Sequence, residues 1–126
     1  MLAGLNHANI STAKLTETVD FFVRVLGLRV GPRPAFGFAG AWLYLGDQPV
    51  IHLVERDAPR DPNGALDHVS FTAPDFDDAL RRLTEIGVPY RASDIPSGFG
   101  RQAFVLDPNG VTIELTDVPA GGLPKA

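Results

Sequence analysis

Leu5-Asn6-His7-Ala8-Asn9-Ile10 returns sixty-one positions later as Leu66-Asp67-His68-Val69-Ser70-Phe71. A chain that repeats itself is built from copies of one unit, so every later motif is read against its counterpart. Gly27 before Leu28-Arg29-Val30 matches Gly87 before Val88-Pro89-Tyr90 at an offset of 60. Trp42-Leu43-Tyr44-Leu45 matches Ala103-Phe104-Val105-Leu106, and Ile51-His52-Leu53 matches Ile113-Glu114-Leu115 at an offset of 62. Two halves, about 1–60 and 61–118, fill nearly all of the 126 residues and leave 119–126 as a frayed tail.

Each half carries one amphipathic helix. Leu15, Val19, Phe22 and Leu26 recur at helical spacing after Ser11-Thr12, and Phe76, Ala79, Leu83 and Ile86 do so after Pro74-Asp75. Gly27 and Gly87 stand where a left-handed C-terminal cap is favourable. The segments near 4–11, 41–46, 49–55, 65–73, 101–106 and 111–117 read as strands, with Asp107-Pro108-Asn109-Gly110 as the last hairpin turn. A short strand is expected near 89–93. The Gly- and Pro-rich stretch 31–40 reads either as a similar strand or as a loop.

Successive side chains of a strand point to opposite faces, so the two parities are read separately. His7, Asn9 and Ser11 fall together, as do His68, Ser70 and Thr72, and Thr112, Glu114 and Thr116. Val69, Phe71, Val111, Ile113 and Leu115 take the other face, where the helices must pack. The polar face then lines a cavity, and it holds all three histidines of the chain. They occupy two repeat-equivalent places: His7 with His68, and His52 with Glu114. Imidazole and carboxylate suit Zn, Fe, Mn, Ni or Co ions, and two histidines plus one carboxylate leave coordination positions open for substrate. Taken singly, a strand histidine is more often a hydrogen-bonded structural residue; the coincidence in the repeat favours metal.

Bulk composition narrows the classes. No apolar run reaches the roughly 18 residues of a membrane span. Fifteen acidic against eleven basic residues, with no basic cluster, give nucleic acid no electrostatic footprint. The absence of cysteine excludes disulfides and thiolate chemistry and fits a cytoplasmic protein. The first residues carry neither the basic stretch nor the apolar core of a secretory signal.

Leu5-Asn6-His7, Val19-Asp20-Phe21-Phe22, Leu26-Gly27-Leu28, Leu66-Asp67-His68 and the run Asp107-Pro108-Asn109-Gly110-Val111-Thr112-Ile113-Glu114-Leu115 together resemble the vicinal oxygen chelate superfamily. Its members include glyoxalase I, fosfomycin-resistance transferases, bleomycin-binding proteins and extradiol dioxygenases. The resemblance implies an α+β fold of two βαβββ modules forming a cupped eight-stranded mixed β-sheet, one glyoxalase-like domain over 1–118, and a homodimer. It also implies a divalent metal held by His7, His68 and Glu114, with His52 as a fourth ligand or proton carrier. Glyoxalase I typically has glutamate or glutamine where this chain has His52. Fosfomycin transferases carry threonine where Asn9 stands and an acidic loop where Ser97-Gly98-Phe99-Gly100 has no acid. Extradiol dioxygenases carry tyrosine where Phe104 stands.

The expected enzyme uses its metal as a Lewis acid on a small oxygenated substrate, in lyase, isomerase or dioxygenase chemistry, with His52 and Glu114 as catalytic residues. Phe36, Trp42, Tyr44 and Phe104 are candidates either for core packing or for the pocket wall. Arg33 and Arg101 are candidates to clamp an anionic or carbonyl-bearing substrate. The competing expectation is a non-catalytic dimer enclosing a hydrophobic ligand, in which Trp42 and Phe36 outweigh the histidines.

Overall fold

Asp75 starts the second helix by accepting the Asp78 N–H on its side chain at 3.1 Å, and Asp77 and Asp78 place negative charge at the positive end of the helix dipole. The computed structural model describes residues 5, 7–57, 68–98 and 100–119. Asn6, Leu66-Asp67, Phe99 and the tail from 120 onward lie outside the described residues. The chain divides into two compact units, Met1–Gly64 and Ala65–Ala126.

The first unit runs β1 (Ala8–Thr12), α1 (Leu15–Asp20), a π-helical continuation Phe21–Val25, β2 (Arg29–Gly31), β3 (Gly40–Leu45) and β4 (Gln48–Glu55). The second runs β5 (His68–Thr72), α2 (Phe76–Glu85), β6 (Arg91–Ile95), a short 3₁₀ turn Pro96–Gly98, β7 (Gly100–Leu106) and β8 (Thr112–Thr116). Each forms a four-stranded mixed sheet, ordered β1-β4-β3-β2 and β5-β8-β7-β6. The first strand lies parallel to the fourth, and the helix carries the chain to the far edge, from which the other strands meander back. The fold is therefore α+β, two βαβββ modules. None of the described helices is long and apolar enough to cross a membrane.

The apolar parity packs under the helices. Leu43, Ile51 and Leu53 are almost fully buried in the first unit, as are Ala103, Val105 and Ile113 in the second. Phe76 and Leu83 of α2 lie on their own core, and full burial of such a side chain contributes about 1.5–3 kcal/mol. The stretch 31–40 resolves into a strand that ends at Gly31 and a loop that begins at Pro32. Gly31 is demanded by close approach, since a Cβ there would lie 2.5 Å from the Tyr44 ring.

The first helix departs from its sequence pattern. Of Leu15, Val19, Phe22 and Leu26 only Phe22 is fully buried, while Thr18, Phe21 and Val25 also turn inward. The cause lies in the repeat arithmetic. The offset between halves falls from 61 at the histidines to 60 at the capping glycines, so the first half holds one extra residue between them. The helical span is six plus five residues in the first unit and ten in the second, and the π-helical stretch absorbs the surplus. Phe21 and Phe22 thus both reach the core, edge to face at 5.3 Å. Beyond it the cap is restored, with Gly27 and Gly87 at φ 77° and 76°. The N-terminal end has no side-chain cap; instead the buried Thr18 hydroxyl donates to the Lys14 carbonyl, so the Thr12 hydroxyl donates to Thr18 in turn.

The last hairpin is organised by one buried carboxylate. Asp107 accepts the backbone N–H groups of Asn109 and Val111, both at 2.8 Å. Asp107→Ala leaves both without a partner and should cost about 1–3 kcal/mol, with Asp107→Asn costing less; chemical denaturation followed by circular dichroism would measure both.

Candidate functional site

In the second unit the register aligns Ser70, Glu114, Phe104 and Arg91 on one rung across all four strands. These side chains share the face away from α2. The Ser70 hydroxyl donates to Glu114 Oε2. The other oxygen, Oε1, stands 3.8 Å from His68 Nε2, and the His68 ring meets Phe104 edge-on at 6.0 Å. Glu114 is largely sheltered, with 15% of its side chain exposed against 35% for His68. Beside it opens a cleft of about 340 Å³ bordered by Ser70, Thr72, Ile95, Thr116 and Val118. The hydroxyls of Thr72 and Thr116 donate to the carbonyls of Val118 and Arg101, both at 2.9 Å. The cleft is largely apolar, with the Glu114 carboxylate and the hydroxyl oxygens of Ser70, Thr72 and Thr116 as its polar groups.

The equivalent rung of the first unit is Asn9, His52, Trp42 and Gly31. His52 is sandwiched, with the His7 ring stacked at 3.7 Å on one side and Trp42 at 4.0 Å on the other. Phe36 lies beside Trp42, its ring tilted by 47° at 6.2 Å, and Phe38 stacks on Phe36 at 5.2 Å. His52 Nε2 lies 3.1 Å from the Pro49 carbonyl. A carbonyl only accepts, so Nε2 carries the proton and Nδ1 keeps the lone pair. Burial pushes the His52 pKa below the usual histidine value, repulsion from His7 adds to this, and the Pro49 hydrogen bond opposes it. At neutral pH this imidazole is uncharged, and Nδ1 is its atom for taking a proton or a metal ion.

Each unit thus gathers two candidate ligands, His7 with His52 and His68 with Glu114. Among the described residues no three His, Asp or Glu side chains form a metal-holding group. Trp42 and Phe104 take the polar face. Three of the other substrate candidates make contacts within the fold. Arg101 lies on the helix side, where its guanidinium covers the Phe76 ring at 4.7 Å and binds Asp77 at 2.8 Å and Asp117 at 3.3 Å. The Arg101 backbone N–H, followed by its guanidinium, holds the Asp117 carboxyl below the usual carboxylate range. Arg33 folds into its own loop, donating to the Phe38 carbonyl at 3.1 Å with Phe36 and Phe38 beneath it. The Tyr44 hydroxyl donates to the Pro32 carbonyl. These three side chains hold the structure together. Ser70 and Arg91, which sequence reading did not assign to the site, do reach this face; strand parity pointed to Ser70, whereas Arg91 needed the pairing of β6 with β7.

A sequence profile of the Glyoxalase/Bleomycin resistance protein/Dioxygenase superfamily matches residues 4–115. A protein of Arabidopsis thaliana named Glyoxylase I 4 is 30% identical over 123 residues, 90% of this chain and 70% of its own. Lactoylglutathione lyase of Pseudomonas aeruginosa is 26% identical, over 93% and 84% of the two chains. Glutathione transferase FosA of Serratia marcescens is 30% identical over 119 residues, 91% and 81%. Among solved structures, a glyoxalase family protein from Bacillus anthracis superposes with a TM-score of 0.79 at 22% identity, covering 92% of this chain and 95% of that one.

His52 also makes stability depend on pH. Its folded-state pKa is lowered, so its contribution is present above the unfolded value of about 6.5 and is lost as pH falls from there through the folded value. In metal-free protein, His52→Phe should flatten the loss of stability as pH falls below about 6.5; denaturation midpoints that fall equally in both proteins would contradict this.

Proposed function

The chain belongs to the Glyoxalase/Bleomycin resistance protein/Dioxygenase superfamily, and from that premise we propose that it is a metal-dependent enzyme of the vicinal oxygen chelate type. It acts as a glyoxalase-like lyase or isomerase on a small oxygenated substrate. The observation that carries this reading is the approach of His68 Nε2 to Glu114 Oε1. At 3.8 Å the two atoms are beyond hydrogen-bond reach. They are within the roughly 3–4 Å that separates two ligand atoms sharing an ion at about 2.0–2.2 Å from each.

In this reading His68, Glu114 and His7 hold the ion, His7 being the donor from the first unit, contributed by the same chain or by a second copy. Pairing of two copies in the cytoplasm belongs to the same proposal. A bound Zn, Fe, Ni, Mn or Co ion would supply Lewis-acid polarisation of a substrate oxygen. Ser70 fixes the Glu114 carboxylate through Oε2 and so orients the oxygen that faces His68. His52 is the proton acceptor or fourth ligand, through Nδ1, and its stack aligns His7. Glu114 is the second group assigned to proton transfer. The relatives named lactoylglutathione lyase support lyase chemistry over oxygenation, as does phenylalanine at position 104.

One observation favours a second reading, capture of a flat apolar ligand without turnover. Phe36 and Phe38 are about half exposed, at 47% and 48%, and form a second stacked pair beside that of His52 and Trp42. Elemental analysis with native mass spectrometry separates the two. The enzyme reading expects stoichiometric metal that is lost in His68→Ala, Glu114→Ala and His7→Ala, and an affinity lowered about 10–100-fold in Ser70→Ala. Metal content indifferent to His68 and Glu114, with aromatic ligand binding that depends on Trp42, would establish the binder instead.

A further inference from the structure

We propose that Arg91 is the specificity-determining residue of this site and that the substrate is a small carboxylic acid. Its carboxylate pairs with the Arg91 guanidinium while its other oxygen-bearing end lies at His68 and Glu114. The inference rests on the reading of this face as the substrate site.

Arg91 stands on the same rung as Glu114, two strands away, with Phe104 between them. Its guanidinium lies over the Phe104 ring, 5.5 Å from the centroid. Phe104 also receives the edge contact of His68, so one ring links the candidate ligand pair to the cation. Of the other described arginines in this unit, Arg81 binds Asp78 and Glu85, Arg101 binds Asp77 and Asp117, and Arg82 is also engaged. Arg91 alone among them has no anionic or carbonyl partner.

A cation–π contact engages the charge of a guanidinium without using its N–H donors, and their fork matches a carboxylate. A charged residue on an edge strand also deters edge-to-edge pairing, yet that role requires no contact with Phe104. The spacing sets the ligand's size. Two strand separations put the Glu114 and Arg91 backbones about 10 Å apart, and both side chains close in from the two ends. A ligand bridging them has a short carbon skeleton lying over Phe104. The neighbouring cleft, which Arg91 does not line, has no cationic side chain to favour an acid and carries the Glu114 carboxylate itself. Among the described residues the first unit has no such device: its rung ends at Gly31 under Tyr44, and Arg29 donates to the Gly46 carbonyl.

The test is calorimetric titration of the full chain with 4-oxopentanoate and with its amide, equal in length and different in charge. The wild-type protein should bind the acid at least about ten-fold tighter than the amide, as charge-assisted bidentate pairing requires. Arg91→Gln should abolish that preference, Arg91→Lys should keep part of it, and thermal melts of both should match the wild type. A wild-type protein without the preference, whether it binds both probes equally or neither, would overturn the proposal, as would a preference that survives Arg91→Gln. Elemental analysis of the same samples keeps the two readings apart. A protein that carries no metal but shows the Arg91-dependent preference sinks the metal assignment and leaves this one standing.

Discussion

Side-chain direction along a strand alternates with every residue, so the register of one strand against another decides which chemistry meets which. In this chain two parallel pairings carry that burden, β1 against β4 and β5 against β8. A slip of one residue in β8 would turn Glu114 toward the helix and Ile113 toward the cleft. The slip is opposed from both sides. Ile113 and Leu115 are buried in the core, while Asp107 fastens the turn that leads into β8. The register that packs the core is therefore the register that sets Ser70 against Glu114 and Glu114 against Phe104.

The two units use this scaffold differently. At equivalent places they carry His52 and Glu114, Trp42 and Phe104, Gly31 and Arg91, so strand pairing corrects the sequence match of Trp42 with Ala103 by one residue. The first rung makes a stacked aromatic column in which the imidazole is sheltered and neutral. The second rung makes an ionisable edge in which a carboxylate is held by a hydroxyl and approached by a histidine. One repeated geometry thus carries an aromatic set in one half and a charged set in the other.

Much of this was legible in the sequence because its signals are local or periodic. The repeat fixed the module count, alternation separated the polar from the apolar parity, and glycine marked the helix ends. Arg101, a candidate clamp by residue type, shares its face with Ala103 and Val105, both apolar, and so lies with the helix. Arg91 was hidden for a different reason. Its place beside Phe104 follows from the pairing of β6 with β7, a tertiary fact that neither strand states alone. The loop after Gly31 was ambiguous because Gly and Pro disfavour regular structure without specifying an alternative; there the deciding contacts are Arg33 and Tyr44 on backbone carbonyls. The metal assignment stands on residue types and on the His68–Glu114 pair.

The π-helical stretch Phe21–Val25 has a consequence for descent. An added residue in a regular helix rotates everything beyond it by about 100°, which would carry Leu28 and β2 out of place. Here the surplus is confined to one widened turn, and the chain leaves the helix as its sister does. Phe21 and Phe22 are both buried, so removing the surplus residue would open a void where an aromatic ring now sits. The duplicated halves thus ceased to be exchangeable parts, and a helix transplanted from one to the other would arrive out of phase with its new bed.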